Sequence, residues 1–219
     1  MLRRIFVAGL ALLAVSAAPA PLQPRAVPGQ ARVRLVTSMG TITLALDAKR
    51  APKTVANFLA YVDDGRFEGT TFYRTARRKA APTRGFIQGG VGTDARRMLD
   101  PLPLESTSKT GLKHLNGTIS MAHGQNPNSA NGNFSIMVGD NPGLDARGAN
   151  PGFAAFGQVI GGMDVVQRIL GLPSGGGRDA MRGQMILKPV TIVRAERLDG
   201  TSKPTGRVKP WLLGLKPAG

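Results

Sequence analysis

Thiol, metal and nucleophile chemistry have little to work with in this chain. Its 219 residues include no cysteine and two histidines, His114 and His123. Without cysteine there is no disulfide, thiol nucleophile, cysteine zinc site or N-terminal lipid-bearing cysteine. The histidines lack ligand spacing, no serine sits on a recognisable nucleophile elbow, and no GxxxxGK[ST] is present. Ser174-Gly175-Gly176-Gly177-Arg178 has the glycines of a phosphate cradle. It lacks the Lys-Ser/Thr that should follow and a strand-to-helix setting, so it reads as a plain loop. An enzyme built from these parts works without a nucleophile, a metal or a cofactor.

Rotation about an X-Pro peptide bond is such a reaction. Amide resonance sets a barrier of about 18–20 kcal/mol, and uncatalysed rotation takes on the order of tens to hundreds of seconds. A catalyst needs an apolar pocket for the proline ring, a grip on the flanking chain, and a preference for the twisted amide over either planar form. In the twisted state the proline nitrogen regains a lone pair that a fixed guanidinium can hydrogen-bond. Arginine suits that role because it stays charged and is geometrically rigid.

The elements that would position such groups are mostly short strands. Residues 32–37 and 41–46 alternate apolar and polar around Ser38-Met39-Gly40 and read as a hairpin. A helix follows, opened by Pro52, with Val55, Phe58, Leu59 and Val62 at helical spacing and Gly65 as its stop. Phe72-Tyr73-Arg74 is a short strand, residues 75–85 a basic loop, and Ile87-Gln88 leads into Gly89-Gly90. Apolar runs at 118–122, 134–138 and 154–159 alternate with glycine and asparagine turns. A second helix covers 163–170, a glycine-rich loop 173–183, and a last strand 186–196. Several short strands with two helices suggest a mainly β fold, a closed antiparallel barrel with helices capping its ends.

Arg3 and Arg4, the apolar run 5–15 and the small residues that follow have the form of a secretory signal peptide, with cleavage expected near Ala17. The run is too short to span a bilayer as a permanent helix. The expected organisation is a signal peptide at 1–17, a proline-rich linker at 18–30, one folded domain at 31–199 and a flexible Lys/Pro-rich tail at 200–219. That places the mature protein in a periplasm or outside the cell, soluble, monomeric and without stable membrane insertion. The formal net charge of +16 falls to +14 once Arg3 and Arg4 are removed. The basic residues are scattered rather than set on one helix or interleaved with aromatics, so a solvated cationic surface is expected and a nucleic-acid partner is not.

Seven fragments, in order, resemble the cyclophilin-type prolyl isomerases. They are residues 33–44, the helix start Ala51-Pro52 to Asn57-Phe58, Gly69 to Phe72-Tyr73-Arg74, and Phe86-Ile87-Gln88-Gly89-Gly90. Gly117 to Met121-Ala122, Asn133-Phe134-Ser135-Ile136, and Phe153 to Phe156-Gly157-Gln158-Val159 complete the set, so that the likeness spans about residues 32–198. The resemblance implies an eight-stranded barrel capped by two helices, needs no cofactor, and points to proline-containing unfolded or exported polypeptides as partners. It makes Arg74 the catalytic arginine and Gln88 the glutamine that supports it and contacts substrate backbone. Met121, Ala122 and His123 fall on the strand against which the peptide pairs, and Leu144 on a leucine of the proline pocket.

The resemblance also marks departures. Phe86 takes a pocket methionine position, and Gly85 stands where a phenylalanine is usual. Ser135 replaces another pocket aromatic, Gly143 a tryptophan found in some members, and Phe153 a common histidine; Asn133 replaces a glutamine and would, with Gln88, hold the substrate backbone. A pocket rebuilt from Phe86, Phe134, Leu144 and Phe153 is one way to complete the site. Three readings stay open: an isomerase assisting the folding of exported chains, a peptide-binding module of weak or lost activity, and a cationic protein that binds anionic envelope polymers.

Overall fold

Alternation decides the first two strands. In a computed structural model describing residues 28–213, β1 (Gln30–Thr37) buries Val33 and Leu35, and β2 (Gly40–Asp47) buries Ile42, Leu44 and Leu46. The two pair antiparallel from Thr37↔Gly40 to Gln30↔Asp47, and period two sends every second side chain inward. The expected signal peptide, the linker as far as residue 27 and tail residues 214–219 lie outside the described residues.

Helix α1 (Pro52–Asp63) starts at a proline and has no capping side chain at Ala51. Its first free amides are met instead by Glu105, which accepts from the Thr54 N–H at 2.7 Å and the Lys53 N–H at 3.2 Å. A carboxylate there satisfies orphan donors and the positive end of the helix together. The apolar face sends Phe58 into a cluster with Phe67, Phe134 and Phe156, centroids 5.0–5.3 Å apart. Aromatic pairs at such distances contribute about 0.5–1.5 kcal/mol each beyond their burial.

The remaining strands are β3 (Thr71–Arg78), β4 (Ala81–Gly90), β5 (Thr118–Met121), β6 (Asn133–Val138), β7 (Ala154–Gly161), the two-residue β8 (Ser174–Gly175) and β9 (Met185–Arg197). Their order is β1-β2-β7-β5-β6-β4-β3-β9-β8, all antiparallel, and β1 also pairs with β9. That last pairing closes eight strands into a barrel and leaves it no free edge. Helix α3 (Met163–Leu170) packs across β2, β3, β4 and β6. It starts at Gly162 (φ +80°), where a Cβ would stand 2.0 Å from the Thr41 carbonyl oxygen.

Two expectations change within the barrel. The basic stretch 75–85, expected as a loop, continues the β3–β4 hairpin, with pairing from Thr71↔Gly90 to Arg77↔Gly85 and again at Arg78↔Ala81. Backbone pairing does not depend on side-chain charge; Arg77 and Lys79 are exposed, with Arg77 Nη2 donating to Ser174 Oγ at 2.8 Å. Arg78 reaches back to the Asn141 side chain at 2.9 Å, and Asn141 donates to the Gly85 carbonyl at 3.0 Å. The second change is a third helix, α2 (Thr107–Thr110), a single turn capped by Ser106 and too short to carry a periodic signal.

The tail, expected to be flexible, is laid on the barrel as far as Leu213. Thr205 donates through its amide (2.8 Å) and hydroxyl (2.6 Å) to Asp64 at the end of α1. Burial works to raise the Asp64 carboxyl, but the Thr205 hydrogen bonds and Arg66 outweigh it and hold the group below the usual carboxylate range. Trp211, 8% exposed, sits between the guanidiniums of Arg66 (4.8 Å) and Arg97 (5.0 Å). A composition rich in Lys, Pro and Gly reads as a linker. One tryptophan with two cations to stack on reverses that.

Candidate active site

Arg74 on β3 and Gln88 on β4 are register partners, and Arg74 Nη1 donates to Gln88 Oε1 at 2.8 Å. Two further acceptors hold the guanidinium. Nε donates to Gln184 Oε1 at 2.9 Å, and Nη2 to the Ala180 carbonyl at 3.3 Å. None of the three is a carboxylate, so no neighbouring anion offsets the positive charge that the guanidinium presents. Burial lowers the Arg74 pKa from its usual value, and Tyr73 partly offsets this. The guanidinium lies 5.2 Å from the centre of the Phe86 ring.

Beside this pair is a cavity of about 120 Å³. Its lining includes Arg74, Phe86, Gln88, Met121, Ala122, His123, Leu144 and Phe153, joined by Ser120, Ser135 and Met137. Residues far apart in the chain therefore meet on one face of the barrel. His123 and Phe153 stack at 4.3 Å to form one wall. The imidazole is tied between carbonyls, Nε2 2.9 Å from Gly152 O and Nδ1 2.7 Å from Gly124 O.

Two expected residues behave differently. Phe134 is fully buried inside the barrel, against Phe58, Phe67 and Phe72, and is no part of the cavity. Strand alternation is the reason: its neighbours Asn133 and Ser135 face the groove side, so Phe134 must face inward. Asn133 lines a shallower hollow with Gln88, Ala122 and His123. Its amide is already engaged, accepting from the Gly92 N–H (2.8 Å) and the Tyr73 hydroxyl (3.2 Å) and donating to the Gly92 carbonyl (2.9 Å). It braces the turn after β4 rather than offering a free donor.

Gly85 explains one departure in physical terms. At φ +144° its Cβ would fall 2.0 Å from the Ala76 carbonyl oxygen, so this bulged hairpin leaves no room for an aromatic there. Phe86, one residue on, supplies the ring instead.

The sequence reading missed Gln184 and Ala180, which lie in or beside the glycine-rich loop, where no periodic pattern points at Arg74. It also missed a buried chain: Asp145 Oδ1 is 2.7 Å from His114 Nδ1, and His114 Nε2 is 2.8 Å from Ser120 Oγ. The order resembles a hydrolase triad, but His114 and Ser120 are buried, Ser120 being 2% exposed at the cavity lining. The His114 side chain has no solvent exposure, and Asp145 also takes the His114 backbone N–H at 3.1 Å. The chain pins the turn carrying Leu144 to β5. Burial lowers the His114 pKa more than Asp145 raises it.

Comparison with known proteins follows the same outline. Residues 32–197 match the family model of the cyclophilin type peptidyl-prolyl cis-trans isomerases. The chain is 38% identical over 170 residues to peptidyl-prolyl cis-trans isomerase cyp18 of Streptomyces antibioticus, covering 76% of this chain and 98% of that protein. It is 32% identical over 164 residues to peptidyl-prolyl cis-trans isomerase B of Escherichia coli, covering 71% and 96%. The crystal structure of a Cryptosporidium parvum cyclophilin in the presence of the dipeptide Ala-Pro superposes with a TM-score of 0.61 at 23% identity, covering 77% and 99%. That likeness is one of fold.

Proposed function

This chain belongs to the cyclophilin-type peptidyl-prolyl cis-trans isomerases, and from that premise we propose that Arg74 lowers the rotational barrier of X-Pro bonds in exported polypeptides. The observation that carries the reading is the guanidinium itself, held by three neutral acceptors at the rim of an apolar cavity. The proline ring enters between Phe86, Met121, Leu144 and Phe153. Gln88 fixes Arg74 and contacts the substrate backbone. As the amide twists, its nitrogen lone pair emerges toward Arg74, which hydrogen-bonds the twisted form and neither planar form. No proton, electron or covalent bond changes hands, so His123 acts as a wall and not as a base.

Export rests on Arg3, Arg4 and the apolar run after them, which support a periplasmic or secreted site of action on newly translocated, proline-containing chains. The second reading, a peptide-binding module of weak activity, draws support from the changes at Gly85, Ser135 and Phe153, of which Ser135 leaves the cavity lining a small polar side chain where an aromatic is usual. An uncoupled isomerisation assay on the chain without residues 1–17 separates the two. Acceleration that disappears in Arg74→Ala with the fold intact supports the isomerase. Peptide binding without acceleration on several X-Pro sequences supports the module.

A further inference from the structure

A larger groove, about 930 Å³, opens on the other side of Gln88. It shares that one side chain with the proline cavity and none of Ala122, His123 or Phe153. Tyr73 stands along one wall, and the floor follows the end of β4 through Gly90 to Gly92. At Gly90 a Cβ would meet the Gly132 carbonyl oxygen at 2.1 Å, so the floor is necessarily bare. The far wall is the loop bearing Ala180 and Met181, together with Met185 at the start of β9. Met181 is 41% exposed over an apolar surface that nothing in the described chain covers. Methionine is the side chain best able to adapt to varied apolar partners.

The charges of the groove lie at its rim. Arg97 is 3.5 Å from Asp94 and stacked by Trp211, and Arg178 and Asp179 are exposed to water. Burial pushes the Tyr73 phenol up to about 12, so that wall is neutral at any working pH. The loop that forms the far wall also supplies Ala180 and Gln184 to Arg74. One hydrogen bond therefore separates the groove from the catalytic arginine. Gln88 lines both spaces, so they adjoin, and an extended chain advancing about 3.3–3.6 Å per residue carries its neighbouring side chains away from the proline on that scale.

We propose that this groove is a specificity subsite that seats a large apolar side chain of the substrate, one or two residues from the isomerising proline and on the side of Gln88 away from Ala122 and His123. The proposal rests on the isomerase reading for its occupant, but binding tests it separately from catalysis. Labelled Ala-Pro hexapeptides carrying Phe or Gly at each of the two positions before and after the core are titrated against wild type, Thr93→Arg, Met181→Ser and Arg74→Ala. Thr93 is exposed at the groove mouth and Met181 lies on a different element, so the two variants fail to fold for different reasons if they fail at all; circular dichroism checks each.

The expected result is a preference of about tenfold for Phe at one flanking position in wild type. It shrinks to within about twofold in Thr93→Arg and Met181→Ser and is retained in Arg74→Ala, which loses isomerisation. Equal affinity for Phe and Gly peptides at all four positions overturns the subsite, as does a preference that both groove variants leave intact. Unchanged isomerisation in Arg74→Ala instead overturns the catalytic assignment, and the binding data still decide the groove.

Discussion

Replacing Arg74 with lysine tests geometry with the charge held constant. The guanidinium meets Gln88, Gln184 and Ala180 at 2.8, 2.9 and 3.3 Å and still faces the cavity. A lysine ammonium is a single point on a flexible stem and cannot hold that fork while reaching the amide nitrogen. What is lost is one charge-assisted hydrogen bond made only to the twisted amide. Such bonds contribute about 1.5–3 kcal/mol, which corresponds to roughly 10- to 150-fold in rate. The upper half of that range is expected, because the group is half-buried and water screens it poorly. The loss should fall on kcat with KM little changed, since the planar substrate does not use the bond. Stability should drop by less than about 1 kcal/mol, because Gln88 and Ala180 border open grooves and Gln184 is partly exposed, so water can replace the donor. The assay is exchange between cis and trans peptide followed by NMR, with urea unfolding in parallel. An Arg74→Lys protein that folds normally and keeps its rate within about threefold refutes the argument that guanidinium geometry carries the catalysis.

Gln184→Ala removes one of the three acceptors that hold Arg74 without touching the cavity; kcat should fall by up to about tenfold. Gln184→Glu keeps an acceptor but places a carboxylate on the guanidinium, so its kcat should fall at least as far, which a purely structural role would not produce. Trp211→Ala should cost about 3–5 kcal/mol in urea unfolding, the usual range for a buried aromatic; a change below about 0.5 kcal/mol would mean that the tail does not dock. The folded state holds His114 neutral, its pKa lowered by burial. Its contribution is therefore complete above the unfolded value near pH 6.5 and declines as pH falls and the unfolded chain takes up a proton. The urea midpoint should drop between pH 7.5 and 5.5 in wild type, and His114→Gln should flatten that slope.

The strands and helices that carry the site were legible because their signals are local. Period-two alternation at residues 32–46, Pro52 with its helical row and the apolar runs at 118–122 and 154–159 each place a side chain inside or outside from near neighbours alone. The order of the seven fragments then linked Arg74, Gln88, Phe86 and Met121 to one fold. The 75–85 segment has the composition of a loop yet pairs as strands, because strand pairing is a property of two backbones and its charges report only on the solvent-facing side.

Composition and pattern by themselves pointed to a mainly β barrel and a candidate export signal, and the resemblance of the ordered fragments singled out Arg74. Only the tertiary structure decided that Phe134 turns inward, that Gly85 cannot carry a ring, that Gln184 grips Arg74 from 110 residues away, and that Trp211 ties down the tail. Each of these depends on atoms that meet through the closed barrel. Distances between strands are fixed by closure and register, and neither is written in any one stretch of chain.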